Sequence, residues 1–161
     1  MLAQEGRVVA SFCHRRLREY PVSGGPSAAC ESVRDERLTR YASAVIRELG
    51  WTGVAMVEFK KDDDYRLLEV NPRFWGSLPL ATLAGINFPH LLCRQAMGET
   101  VSAAPKYRSG VRLRFLTLDL PAALSAPRNF PGFLCDLLVK DGIFDLRDWA
   151  ASVAYLWSRL P

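Results

Sequence analysis

Four residues in the stretch EFKKDDDYRLLEVNPR (58–73) carry side chains suited to a metal ion and a phosphate: Glu58, Glu69, Asn71 and Arg73. Carboxylates and an amide carbonyl are hard oxygen donors of the kind magnesium takes, commonly one or two carboxylates completed by substrate phosphates. A guanidinium brings a planar donor fork that matches a phosphate or a carboxylate. The runs GVAMVEF and YRLLEV flank KKDDD and read as the two strands of an antiparallel hairpin. With a tip at Asp62–Tyr65, Lys61 faces Arg66, Lys60 faces Leu67, Phe59 faces Leu68 and Glu58 faces Glu69. Side chains two apart share a face, so Asn71 joins the two glutamates, while Val57, Phe59, Leu68 and Val70 form the opposite, apolar face. Directly opposed carboxylates destabilise a sheet unless something neutralises them. A divalent cation does this. So does a nearby arginine or lysine on a hairpin that merely faces solvent, and the residues alone leave both readings open. The run Asp62-Asp63-Asp64 reads as a solvated turn.

The surrounding elements must hold this hairpin in place. RVVASFCHRR predicts a strand from Arg7 to Arg16, followed by a loop at PVSGGPS, whose SGGPS is either an anion-cradling nest or an ordinary turn. In DERLTRYASAVIRELG, Leu38, Tyr41, Ala42, Val45, Ile46 and Leu49 recur at helical spacing between Asp35 and Gly50, which predicts an amphipathic helix. LPLATLAG is helical in pattern, and a second helix is expected from Asn87 through Met97, ending at Gly98. VRLRFLTL (111–118) predicts a further strand, with Arg112 and Arg114 on one face and Val111, Leu113 and Phe115 on the other. From Pro121 the chain is expected to be less regular, and DLRDWAASVAYLWSRL predicts a final helix carrying Trp149, Tyr155 and Trp157, which are either core contacts or an interface. Strands and helices interleave around an antiparallel hairpin, so the expected class is α+β, an antiparallel β-sheet flanked by helices.

The chain has 161 residues, 49% hydrophobic and 24% charged, with a formal net charge of +4, an ordinary globular composition. That mild positive balance suits a small anionic ligand and is too weak to argue for nucleic acid. Cys13, Cys30, Cys93 and Cys135 form no CxxC pair, and only His14 and His90 could join them at a zinc site, so reduced, mostly buried thiols are expected. The stretch MLAQEGRVV has no apolar signal region, and no apolar run approaches the roughly 18 residues of a membrane span. A cytoplasmic chain with neither membrane nor nucleic-acid partner is expected.

The string VEFKKDDDYRLLEVNPR resembles the C-terminal half of an ATP-grasp domain, the superfamily of carbamoyl-phosphate synthetase, biotin carboxylase, D-alanine–D-alanine ligase and many carboxylate–amine ligases. FWGSLPLATLAGINFPHLL continues the likeness, and SFCHRRLREYPVSGGPS resembles the strand and loop that approach the γ-phosphate and acceptor in carbamoyl-phosphate-synthetase-like members. The resemblance covers residues 7 to 100 well. It implies a partial ATP-grasp fold over 1–118, with 119–161 as a C-terminal extension ending in a helix packed on the same domain. It implies ATP and Mg²⁺ (or Mn²⁺) as cofactors, with Glu58, Glu69 and Asn71 on the metal, and His14, Glu58 and Glu69 contacting the cofactor. Arg73 is implied as catalytic, handling phosphate or an acyl phosphate. Arg16 and Arg18 are carried over with it, and His14, Arg16 and Arg18 alternate as a candidate anion-binding strip or a basic edge strand facing water. The implied reaction is ATP-dependent activation of a small carboxylate followed by attack of an amine. A lid with phosphate-binding lysines and an adenine-binding hinge precedes this half in the family, so a trans-acting N-terminal half or a homo-oligomer is an expected partner. The alternative is a non-catalytic remnant or interaction module.

Overall fold

The computed structural model describes residues 1–101, 106–145 and 148–157. These divide into two compact units, Met1–Arg15 with Ser32–Val111, and Arg16–Glu31 with Arg112–Pro161. In sequence, the second unit is thus an excursion from the first plus the C-terminal segment.

The first unit opens with strands β1 (Leu2–Gln4) and β2 (Arg7–Ala10). The expected strand from Arg7 to Arg16 is therefore interrupted: β2 ends at Ala10 and a separate strand, β3, runs over Cys13–Glu19. β4 (Ser27–Val33) follows, then helix α1 (Glu36–Glu48). Asp35 caps α1 by accepting from the Leu38 N–H at 2.9 Å, and Ala42 and Ile46 bury its apolar stripe. β5 (Gly53–Val54) completes a sheet in the order β2-β1-β5. Met1, Ala3, Ala42, Ile46 and Ala55 form the core against which Val8, Trp51, Val57, Phe59 and Val70 pack. Burying a side chain the size of Ile46, which is fully enclosed, contributes roughly 1.5–3 kcal/mol.

The hairpin consists of β6 (Met56–Lys61) and β7 (Tyr65–Asn71). Met56↔Asn71, Val57↔Val70 and Glu58↔Glu69 pair as the alternation predicts, and then the register shifts to Phe59↔Leu67, Lys60↔Arg66 and Lys61↔Tyr65. Leu68 is the extra residue of a β-bulge, and the tip shortens to Asp62–Asp64. The shift removes Leu68 from the apolar face; it is 57% exposed, whereas Val57, Phe59 and Val70 reach the core. The tip is tied down by Tyr65, whose hydroxyl donates to Asp35, and by Arg37, which pairs with Asp64 at 2.7 Å. Beyond the hairpin lie α2 (Leu78–Ala84) and α3 (Phe88–Ala96). Gly85 ends α2 with φ of 115°, a left-handed conformation that disfavours any side chain, and Asn87 caps α3 through the His90 N–H.

In the second unit β8 (Arg112–Arg114) pairs with β4 through Ala29↔Arg114, Cys30↔Leu113 and Glu31↔Arg112. The strand expected over 111–118 stops early, because helix α4 (Leu116–Ser125) starts inside it and continues through Pro121. Asp119, Ala122, Ala123 and Ala126 are buried at i, i+3, i+4 and i+7, a complete helical stripe with an aspartate at one position. Pro121 removes a single backbone donor from this short helix, and the buried stripe outweighs it. A 3-10 turn (Pro127–Asn129), α5 (Phe130–Cys135) and α6 (Trp149–Trp157) follow. The expected final helix is present over that span; Leu146, Arg147 and residues 158–161 lie outside the described residues. Two of the four thiols, Cys13 and Cys30, are buried as expected, while Cys93 and Cys135 are exposed on α3 and α5. Among the described residues no helix is long and apolar enough to cross a membrane.

Candidate metal and phosphate site

The pairing of Glu58 with Glu69 brings two carboxylates to the same cross-strand position, a separation of about 5 Å between Cβ atoms. Glu58 is half-buried and Glu69 exposed. Asn71 donates from Nδ2 to Glu69 Oε1 at 2.6 Å, which leaves the amide oxygen as its remaining acceptor. Two carboxylates and an amide carbonyl are thus grouped on β6 and β7 in front of the bulge. The set is all hard oxygen, which suits Mg²⁺ with substrate phosphates completing the coordination. Among the described residues no cluster of three or more His, Cys, Asp or Glu side chains could form an all-protein cage, so a metal here would depend on its substrate for ligands. Arg73 sits two residues past the strand in a tight turn closed by its own N–H to Asn71 O at 2.9 Å, and it is exposed, with Nη1 donating to Phe74 O at 3.1 Å.

His14 belongs to the same unit. Its ring stacks on Phe12 with centroids 5.8 Å apart, and its Nε2 meets Ser77 Oγ at 2.9 Å. Ser77 stands at the N-cap position of α2 yet makes no side-chain cap bond, its hydroxyl being directed to His14 instead. Sequence reasoning missed Ser77, because a serine ahead of a helix reads as a cap. Trp75, which lies between Arg73 and Ser77 in sequence, is buried, packs edge-on against Phe88 and has no hydrogen-bond partner for its indole N–H among the described residues. On the other side of the hairpin, Asp35 is held below the ordinary carboxylate range, chiefly by the Leu38 N–H and then by Tyr65. Tyr65 is pushed up to about 12, chiefly by its hydrogen bond to Asp35.

Arg16 and Arg18 lie in the second unit, where each has its own surroundings. Arg16 is half-exposed and contacts Glu19 at 3.4 Å and the Gly25 carbonyl at 3.3 Å. Arg18 is buried, donating Nε to Asp119 at 2.6 Å and Nη2 to both Asp119 (3.0 Å) and Asp136 (2.7 Å). Burial alone would lower its pKa, and the bonds and charges of Asp119 and Asp136 outweigh that, so the guanidinium is held more firmly protonated than usual. Arg112 extends the network from Asp136 at 2.8 Å to Glu31 at 3.3 Å. The alternation His14, Arg16, Arg18 therefore gives three different environments rather than a uniform basic strip. In SGGPS, Gly24 N–H closes a turn onto Pro21 O at 3.1 Å, and Tyr20 N–H reaches Pro26 O at 3.3 Å.

Residues 1–118 match the sequence pattern of a family described as "ATP-grasp in the biosynthetic pathway with Ter operon". An acetyl-CoA carboxylase of Dictyostelium discoideum is 28% identical over 96 residues, which is 58% of this chain and 4% of that protein. The chain therefore spans only a small part of the length of that relative. With the family pattern covering well over half of the chain, and with its donor residues grouped on one hairpin, this protein belongs to the ATP-grasp family.

Proposed function

We propose that the chain is the metal-binding half of an ATP- and Mg²⁺-dependent ligase that activates a small carboxylate as an acyl phosphate and passes it to an amine. The observation that carries this reading is the Glu58↔Glu69 pair with Asn71 bonded beside it. Glu58, Glu69 and Asn71 would hold Mg²⁺, and the ion would neutralise negative charge on the phosphates. In the first step the acid's oxygen displaces ADP from the γ-phosphorus. In the second the amine nitrogen displaces phosphate from the acyl carbon and sheds a proton. Arg73, exposed at the end of β7, offers a cation to the transferring phosphoryl group and to the acyl phosphate, and His14 contributes to nucleotide contact from its place on Ser77. The phosphoryl-transfer role is placed on Arg73 rather than on Arg16 or Arg18, since Arg73 lies two residues beyond Asn71 on the hairpin that carries the metal donors, whereas Arg16 and Arg18 belong to the second unit. Residues 119–161 are read as an extension to the ligase half.

The second reading, a non-catalytic interaction module, is favoured by one observation: Leu124, Leu138, Trp149 and Trp157 of the second unit are each at least 69% exposed. Calorimetric titration with ATP, with and without Mg²⁺, on the chain and on Glu69→Ala separates the two. Magnesium-dependent heat that disappears in the variant is expected. Heat of equal size in both proteins, or none in either while both are folded, removes the ligase reading.

A further inference from the structure

The arginine Arg18, spoken for on two of its three nitrogens, leaves the third pointing elsewhere. Nε and Nη2 are bonded to Asp119 and Asp136, while Nη1 has no partner among the described residues and is not among the side-chain atoms sealed from solvent. Arg18 is 7% exposed, so this donor belongs to a largely buried guanidinium. Arg18 also lines a cavity of about 290 Å³ within the second unit, together with Arg16, Leu17, Glu19, Val22, Arg128 and Asn129. Gly132 keeps the space beside Nη1 clear: a Cβ there would stand 2.7 Å from it.

The charges around this cavity are uneven. Glu19 lies 3.4 Å from Arg16, and Arg18 is balanced by its aspartates. Arg128, exposed on the 3-10 turn, makes no ion pair or hydrogen bond among the described residues. The lining thus carries one uncompensated cation, Arg128, and one fixed, oriented N–H donor, Arg18 Nη1. A donor held in place by two carboxylates loses little freedom when it binds, and a neighbouring unpaired guanidinium supplies the charge. A cavity of about 290 Å³ has room for a small oxyanion.

We propose that this cavity is an anion-binding site, independent of the Glu58–Glu69 hairpin, that takes a single phosphate or carboxylate group between Arg18 Nη1 and Arg128. Arg128 and Asn129 lie beyond the residues that match the family pattern, while Arg16, Leu17, Arg18, Glu19 and Val22 lie within them, so the site would need both stretches of the chain.

The test is a titration of the isotope-labelled full chain with inorganic phosphate, and separately with acetate, against sodium chloride at equal ionic strength. The arginine Nε–H signals of Arg18 and Arg128 and the side-chain amide of Asn129 are followed by NMR. Saturable shifts with millimolar affinity are expected from phosphate, from acetate or from both, and the tighter anion identifies the ligand's head group. Arg128→Gln, at an exposed position where folding is not at stake, should weaken binding about fivefold or more. Glu69→Ala should leave it unchanged, which keeps the outcome separate from that of the ligase reading. Shifts no larger than those of chloride for both anions, or unaltered affinity in Arg128→Gln, overturn the proposal.

Discussion

Arg18→Met asks whether Arg18 holds the second unit together. Removing the guanidinium takes both partners from Asp119, whose Oδ1 and Oδ2 are bonded to Arg18 at 2.6 and 3.0 Å and whose side chain is fully buried. Asp136 loses one partner but keeps Arg112 at 2.8 Å. The cost therefore falls mainly on one orphaned buried carboxylate, and breaking such a pair by deleting one member costs about 3–5 kcal/mol. Against a domain stability of roughly 5–15 kcal/mol, that is a large fraction. Changing Asp119→Leu in the same chain removes the orphaned charge, and the double variant should recover more than about half of the loss, a coupling of at least about 2 kcal/mol. Cys30, buried in this unit, supplies a local probe: the rate at which its thiol becomes reactive in the native protein reports opening of the unit, resolved at peptide level by mass spectrometry. The reasoning is refuted if Arg18→Met changes the opening free energy by less than about 1 kcal/mol, or if the two substitutions add without coupling.

The tether at the hairpin tip gives a pH prediction. Asp35 is lowered, so its contribution is present above its ordinary value near pH ~4 and is lost as pH falls through the lower folded value; Tyr65 is raised to about 12, so its contribution is full below about pH 10 and is lost as pH climbs through about 12. In an absorbance titration Tyr65 should ionise late, identified by its loss in Tyr65→Phe, and Asp35→Ala should bring it back toward pH ~10; late ionisation that persists in Asp35→Ala removes Asp35 as the cause. Thiol labelling of the native chain near pH 8 should be rapid at Cys93 and Cys135 and slow at Cys13 and Cys30, since burial pushes the Cys30 thiol up to about 11; uniform reactivity of all four contradicts the fold described here.

The parts of this molecule that could be read in the sequence depend on local pattern. α1 was legible because its apolar spacing, its Asp35 cap and its terminal glycine agree with one another. The Glu58↔Glu69 pair was legible because strand alternation fixes it from the core side, where Val57 and Val70 are anchored. The tip was not, since a leucine at 68 reads as core and nothing local marks it as the extra residue of a bulge. α4 was missed for a related reason: an aspartate in the buried stripe looks like a polar face until its partner is known. That partner is Arg18, 101 residues away, and Asp136 is 118 residues from it, so no spacing rule connects them.

The two groups of charged residues that matter most here are alike in type and opposite in state. Glu69 and Asn71 are placed by the backbone ladder, and their side chains share one hydrogen bond, at 2.6 Å, so their acceptors are not used up by the fold. Arg18, Asp119 and Asp136 are buried, and the two aspartates are bonded through the same guanidinium. A fully paired buried group resists substitution through stability, because its loss leaves an unsatisfied charge. A grouped but under-used set of oxygens on a strand anchored elsewhere has little influence on stability, and its substitution should act on ligand binding instead. The chain thus separates along a physical line: Glu69→Ala should change what the protein binds while leaving it folded, and Arg18→Met should do the reverse to the unit that contains it. The proposed anion site would put Arg18 Nη1 across that line, as a donor on a guanidinium fixed by structural bonds and offered to a ligand.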